Sequence, residues 1–382
     1  MTKQGLEQIF TSKFNSLPRF FKAPGRINLI GEHTDYNEGF VLPAGIDKYC
    51  GIAISPSSKK SFQIFAVDFH EEISFENIPD QPPSSHWVNY IWGVIHAFKK
   101  RGFIIPPFNA VIHSDVPVGA GLSSSAALEV VFAKAFNVLF QFGLSDIELT
   151  WIAKEAENNF VGLQCGIMDM FASVHAKKDC AIKLDCRNLE FEYVPMNLAS
   201  NKILLIDTCV KHALASSEYN QRRIECESAV SKMKQYGMSI HSLRDIATEQ
   251  VFEMKSILSD DEFKRAKYVV EENNRLHQFV DAIAKSNWTA AGELLYASHD
   301  GLKQDYEVSC PELDFLVETT IPLGGIWGGR LMGGGFGGCT INLVESEKME
   351  ELISIITAAY HKEFGISPKY YIASTGDGAC EF

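Results

Sequence analysis

The stretch that most constrains this chain runs from Pro24 to Phe40, PGRINLIGEHTDYNEGF. Within ten residues it sets one arginine, Arg26, two carboxylates, Glu32 and Asp35, and an imidazole, His33, among turn-forming glycines. Arg26 to Ile30 carries apolar Ile27, Leu29 and Ile30 and reads as a short strand that Gly31 breaks. The charged residues then crowd the loop behind it. Ionised carboxylates only accept hydrogen bonds, so each can take a hydroxyl proton, while arginine offers donors in a fixed fork. That combination suits a polyol such as a sugar. It equally suits Arg26 paired with Glu32 or Asp35 at the surface, an arrangement worth little, and composition leaves the two readings level.

A second dense stretch is Asp115 to Phe140, DVPVGAGLSSSAALEVVFAKAFNVLF. Gly119 and Gly121 let backbone amides approach an anion with no Cβ in the way. Ser123, Ser124 and Ser125 add hydroxyls, and the start of the following helix adds partial positive charge. The loop lacks the lysine of a GxxxxGK[ST] loop and the last glycine of a dinucleotide turn. A serine-capped helix after a glycine turn would look the same locally. A third stretch, Gly324 to Cys339, holds nine glycines and matches GxGxxG at Gly333, Gly335 and Gly338. Its glycines precede the expected strand Cys339 to Val344, the wrong order for a dinucleotide fingerprint.

Between these landmarks the pattern alternates. A helix is expected from Thr2 to Phe14, then strands at 50–54, 62–67 and 72–75 forming an antiparallel meander, a loop from Pro79 to Ser85, and a core-facing helix from Trp87 to Arg101. A strand follows at 108–113. Ser145 to Glu148 is a capping box opening a helix to about Asn159; Glu155 and Glu157 near its end and Asp169 beyond it would ordinarily be solvated residues and a turn cap. Strands are expected at 180–185, 189–194 and 202–207, with a domain boundary near residue 195. Helices then dominate: Ala213 to Ser231, His241 to Leu258 as one unit, 261–285, 289–306, and one opened by a capping box at Ser309 to Glu312. A helix at 347–363, a stop at Gly365 and a strand at 369–374 finish the chain.

Gly25 to Asp47 closely resembles the galactokinase signature, and galactokinases belong to the GHMP small-molecule kinases. Glu38 stands where that signature more usually has glycine. The resemblance implies that Glu32, His33 and Asp35 bind the sugar and that Arg26 lies beside its anomeric hydroxyl. PVGAGLSSSAALEV resembles the phosphate-binding motif of the superfamily, which assigns Gly119, Ala120, Gly121, Leu122, Ser123, Ser124 and Ser125 to ATP. The segment from Ala156 through CGIMDMF is similar to a family pattern in which the glutamate, here Glu157, helps hold Mg²⁺ with Ser124 or Ser125. In that pattern the aspartate, here Asp169, faces the hydroxyl that is phosphorylated, with Gly166 beside the substrate; Met170 replaces the usual Gln. SSEYNQRR resembles a further galactokinase element whose tyrosine, Tyr219, touches the sugar, while Arg222 and Arg223 are expected to brace the fold. SHDGLKQDYEVSCPELDFLV also resembles galactokinases, and RLMGGGFGGCTINLV resembles the third superfamily motif, a glycine loop closing the site.

The resemblance therefore implies an α+β, two-domain GHMP kinase fold. An N-terminal mixed-sheet domain (1–195) and a ferredoxin-like C-terminal domain (196–382) would place the active site in the cleft between them. The expected reaction is phosphorylation of α-D-galactose at its C1 hydroxyl by ATP, the first committed step of galactose catabolism, with Asp169 and Arg26 as catalytic residues. Adenine needs an apolar slot, for which Phe65, Phe69 and Trp87 are candidates. A net charge of -13 argues against nucleic-acid or anionic-membrane partners. Nine scattered cysteines without a CxxC pair suit reduced thiols. With no signal core and no long apolar run, a cytoplasmic protein with no obligate protein partner is expected. Two rivals keep the fold: an enzyme for a modified galactose or arabinose, and a non-catalytic galactose sensor.

Overall fold

The computed structural model describes residues 2–84, 86–211 and 215–382. Ser85, in the expected loop, and Ala213, at the expected onset of a helix, lie outside the described residues. Helix α1 (Lys3–Phe14), capped by the Thr2 hydroxyl, precedes β1 (Arg19–Asn28), β2 (Phe40–Val41), β3 (Pro43–Pro56), β4 (Phe62–Ala66) and β5 (Glu71–Phe75). Next come α2 (Val88–Lys100), β6 (Phe108–Ser114), α3 (Ser124–Leu139) and α4 (Asp146–Glu155). A π-helical turn (Ala156–Val161) leads to α5 (Met168–His175), β7 (Cys180–Asp185) and β8 (Phe191–Pro195).

The first sheet is mixed, in the order β13-β1-β3-β6-β4-β5, where β13 is Cys380–Glu381 at the far end of the chain. The expected meander is corrected here. β4 and β5 are antiparallel neighbours, but β6 inserts between β3 and β4 and runs parallel to β4. The sheet's core side is covered by α2 and α3, whose apolar residues Ile91, Val94, Ile95, Phe98, Val130 and Phe132 are buried in one cluster with β1 and β3. Along β1 the register against β3 shifts between Pro24 and Arg26. Such a bulge re-aims a side chain. Gly25 sits at it because a Cβ there would lie 2.6 Å from the Leu122 carbonyl oxygen.

The second half contains β9 (Asn201–Lys211), α6 (Ala215–Gln235), α7 (Thr248–Glu253), α8 (Asp260–Ala284), α9 (Trp288–Gln304), α10 (Pro311–Thr320), β10 (Ile326–Leu331), β11 (Gly337–Glu345), α11 (Met349–Phe364) and β12 (Lys369–Ala373). These strands form an antiparallel sheet in the order β10-β11-β9-β12. Numbered within this half the order is second, third, first, fourth, which is the ferredoxin-like arrangement with additional helices before its second strand. Leu316 of α10 and Leu352, Ile356 and Tyr360 of α11 bury one face of it. β2, β7 and β8 make a small third sheet.

Two local expectations fail for capping reasons. His241 to Leu258 is broken into a 3-10 turn (Leu243–Asp245) and α7. Asp245 accepts from the Ser242 amide at 3.0 Å, and Gln250 accepts from the Ala247 amide at 2.8 Å, so the chain stops and restarts. At α10 the cap is Cys310 followed by Pro311, while the Ser309 hydroxyl donates to Asp314 instead. The capping box at Ser145 and Glu148 is present as expected.

Candidate active site

Loops and helix ends from both halves of the chain converge on a cavity of about 390 Å³. Arg26 reaches it from the bulge in β1. Its guanidinium, almost fully buried, donates from Nε and Nη2 to the two oxygens of Asp169, at 2.8 Å each, and from Nη1 to the Gly121 carbonyl at 2.6 Å. A bidentate arginine fixes its carboxylate in rotation as well as in charge. Asp169 lies in the first turn of α5, and Oδ2 also accepts from the Ser123 hydroxyl. Strand end, serine loop and helix start are thus tied at one carboxylate.

The serine loop has the form expected for anion binding. Gly119 and Gly121 adopt positive φ of 79° and 76°, and Ser123 is left-handed at 55° with no capping bond from its side chain. The first amides of α3 therefore carry no side-chain cap beside a cavity that Ser124 and Ser125 line, which suits an anion. Gly119, Gly121 and Leu122 line it too, whereas Ala120 is buried behind the loop. Ser123 differs from its neighbours in that its hydroxyl is engaged with Asp169.

Opposite lie the residues after β1. Glu32 is buried and accepts the Gly333 amide at 2.8 Å and the Arg330 guanidinium. His33 holds a left-handed backbone, φ 60°, a conformation uncommon outside glycine. Its Nδ1 shares a hydrogen bond of 2.7 Å with the Tyr36 hydroxyl, and Nε2 is buried beside the Gly334 backbone. Burial pushes the imidazole down to about 3, so it is neutral at neutral pH. Asp35, in a 3-10 turn (Asp35–Asn37), accepts the amides of Tyr36 and Met168. Burial and then the nearby charge of Asp169 push its carboxyl up to about 6. Gly166 is confined by it: a Cβ there would sit 1.8 Å from Asp35 Oδ2. Tyr219 of α6 enters from the other half, its ring against Gly334 and 5.1 Å from the His33 ring.

Glu157 is carried by the π-helical turn, a device common at functional sites. It is buried, hydrogen-bonded to Ser125, and pushed up to about 7 by burial and then by Asp169. Glu155 points elsewhere, paired with Arg101 at 2.7 Å. Beyond Glu157 the carboxyl of Glu129 is wholly buried with neither oxygen partnered, and burial raises it well above the usual carboxylate range. The cavity is thus rich in carboxylates relative to its one lining arginine. An apolar recess of about 190 Å³ adjoins it, sharing Tyr90, Val118, Ser124 and Ser125 and lined by Phe69, Trp87 and Leu128. Phe65 is not part of the recess; it packs with Leu6 and Phe10 beneath Lys13.

Apart from the adenine candidates, every expected site residue except Ala120 lines this one cavity. Sequence reasoning missed Arg330, Tyr90 and Cys165. A charge inside the otherwise apolar and glycine-rich run before Cys339 was the available signal for Arg330, since a buried arginine must be paired. Tyr90 reads as an ordinary helix residue. Arg222 does brace the fold, donating to the Tyr306 and Glu307 carbonyls. Met170 is fully buried in the main core, so the usual polar residue has been replaced by packing. Glu38 holds φ 57°, where glycine is at ease, and its carboxylate accepts from Arg187 at 2.8 Å.

Three family descriptions match the chain: the galactokinase galactose-binding signature at residues 8–56, the GHMP kinases N terminal domain at 89–177 and the GHMP kinases C terminal at 279–362. The galactokinase of Thermosipho africanus is 44% identical over 94% of this chain and 98% of its own length. That of Thermotoga maritima is 42% identical with the same coverage. Among solved structures, Lactococcus lactis galactokinase complexed with galactose superposes with a TM-score of 0.95 at 34% identity, covering 99% of both chains. Methanococcus jannaschii mevalonate kinase, at 19% identity and a TM-score of 0.67, shares the fold.

The raised carboxyl of Asp35 has a measurable consequence. A folded-state value near 6 against an ordinary 3.8 means its charge costs stability above pH 6, a penalty that develops between about pH 4 and 6. Asp35→Asn is expected to raise the melting temperature of the ligand-free protein by a few degrees at pH 8. Each pKa unit is worth about 1.4 kcal/mol, less where water reaches the group. The gain should fall to about a third at pH 4.5. Thermal unfolding at the two pH values checks this, and a variant less stable than its parent at pH 8 refutes it.

Proposed function

Since this chain belongs to the galactokinase family of GHMP kinases, we propose that it transfers the γ-phosphoryl group of ATP to the C1 hydroxyl of α-D-galactose, giving galactose 1-phosphate and ADP. The observation that carries the reading is the convergence in one cavity of the serine loop, the Arg26–Asp169 pair and the Glu32, His33 and Asp35 cluster. The domains are taken as 1–195 and 196–382, and the protein as cytoplasmic. Among the described residues no helix is long and apolar enough to cross a membrane.

Phosphoryl transfer asks a protein mainly for positioning and for charge stabilisation. Glu32, Asp35 and His33 offer acceptors or a donor to sugar hydroxyls, with Tyr219 and Gly166 closing the pocket. Gly119 to Ser125 cradle the phosphates, and the adenine takes the recess at Trp87 and Phe69. Asp169 receives or orients the proton of the attacking hydroxyl. Arg26 keeps that carboxylate in register and, from its place beside the anomeric hydroxyl, favours the developing negative charge.

Mg²⁺ suits this donor set. Glu157 and a hydroxyl of Ser124 or Ser125 are hard oxygen donors, and among the described residues no cation forms an ion pair with the buried Glu157. When bound, the ion would neutralise charge on the phosphate oxygens. Glu157→Gln should weaken Mn²⁺ binding in the presence of a non-hydrolysable ATP analogue at least about tenfold, by calorimetry, within the range seen for lost metal-site groups. Unchanged Mn²⁺ affinity would remove the assignment.

The function itself is tested by ADP release with Mg-ATP against galactose, N-acetylgalactosamine, glucose, galacturonate and arabinose, with phosphorus NMR locating the phosphate. Turnover on galactose with phosphate at C1 is expected; galactose binding without turnover overturns the assignment. Asp169→Asn should keep galactose affinity and lose at least about a hundredfold in kcat, the lower range for a lost general base. Near-normal turnover would show that Asp169 does not handle the proton.

A further inference from the structure

Arg330, at the end of β10, is a fully buried cation from the second half of the chain that reaches into the first. All five of its N–H groups are used. Nε donates to the Leu29 carbonyl at 3.0 Å. Nη1 donates to the Leu331 carbonyl at 2.6 Å and to Glu32 Oε1 at 3.2 Å, and Nη2 to the Asn28 carbonyl at 2.6 Å and to the same Oε1 at 3.2 Å. A guanidinium has five donors in a rigid plane, so three carbonyls anchored in two strands and their turn leave it no rotational freedom. Gly333, three residues on and left-handed at φ 84°, adds its amide to Oε1 at 2.8 Å. Three donors therefore fall on one oxygen of Glu32, and none of them on the other.

We propose that Arg330 is the positioning residue of the sugar site: it locks the rotation of the Glu32 carboxylate so that Oε2 is a single, oriented acceptor for one galactose hydroxyl. The inference rests on the galactose reading above and deepens it. Without the lock, a carboxylate can turn about its last bond and present either oxygen, and the entropy of fixing it would have to come from sugar binding. Gly333 also borders Gly121 across the cavity wall, so the oxygen that orders the sugar acceptor orders the glycine loop beside the phosphate loop.

The test separates positioning from mere stapling of the two halves. Galactose and ATP KM are measured for the parent, Arg330→Lys and Glu32→Gln, along with kcat/KM for galactoses carrying fluorine in place of the hydroxyl at C2, C3, C4 or C6. Fluorine cannot donate, so the parent should reject one of these analogues through Glu32. Arg330→Lys is expected to raise galactose KM about tenfold, to leave ATP KM within about twofold, and to narrow that one fluoro-sugar gap. If Arg330→Lys does not fold, Glu32→Gln keeps the carbonyl anchors of Arg330 and decides the matter. The anchored guanidinium must hold the amide oxygen and turn its NH₂ toward the sugar, so the gap should narrow about tenfold. Arg330→Lys with galactose KM and the gap unchanged, or Glu32→Gln with the gap unchanged, overturns the proposal. A parent that does not phosphorylate galactose instead overturns the reading beneath it.

Discussion

The fork between Arg26 and Asp169 is the interaction on which the rest of the site depends. A buried guanidinium is tolerated only when its donors are satisfied. Satisfying this one joins the bulge of β1, the serine loop through the Gly121 carbonyl and the first turn of α5. The Arg26 amide itself donates to the Leu122 carbonyl at 3.1 Å. Sheet, serine loop and α5 cannot move independently while these bonds hold. Around that joint the remaining carboxylates are buried, and burial, then the charge of Asp169, raises the carboxyls of Asp35 and Glu157. A cavity of this kind gathers buried carboxylate charge at a cost in stability.

A second buried arginine performs the matching task between halves. Arg330 belongs to the ferredoxin-like sheet, yet apart from the Leu331 carbonyl its acceptors are the end of β1 and Glu32. The site is therefore not a crevice between two independently finished bodies. Close backbone approaches enforce the same closeness: Gly25 lies against Leu122 and Gly166 against Asp35, positions where even a methyl group would displace what it faces.

Much of this was legible because the chemistry is local in the chain. Glu32, His33 and Asp35 fall within four residues, and Gly119 to Ser125 are contiguous, so the density of unusual residues showed itself before any fold was known. Asp169 and Glu157 became visible by family resemblance, since as isolated acids they look like ordinary turn and helix residues. What stayed hidden depends on pairing at a distance. Nothing in β4 says that β6 will insert beside it, nor in Tyr90 that α2 will face the serine loop. The segment from His241 to Leu258 has helical periodicity throughout, and only side-chain caps from Asp245 and Gln250 interrupt it. The two departures from the family pattern have physical accounts. Glu38 accepts a backbone conformation that costs a side chain about 1 kcal/mol and gains an ion pair with Arg187, which is itself bonded to Asp245. Met170 exchanges a polar group for core packing.

The position of β13 carries a consequence for how the molecule is made. Cys380 and Glu381 pair with Lys22 and Phe21 on β1, and Ile46 bridges to Thr375, so the outer edge of the first sheet is closed by residues synthesised after every other element. During translation the strand that holds Arg26 must wait with one edge unpaired while the helices and the second sheet emerge. Pairings between such distant parts of a chain carry a large loop-closure cost and form late. The edge of β1 is therefore among the last parts of the first sheet to be covered as the chain folds.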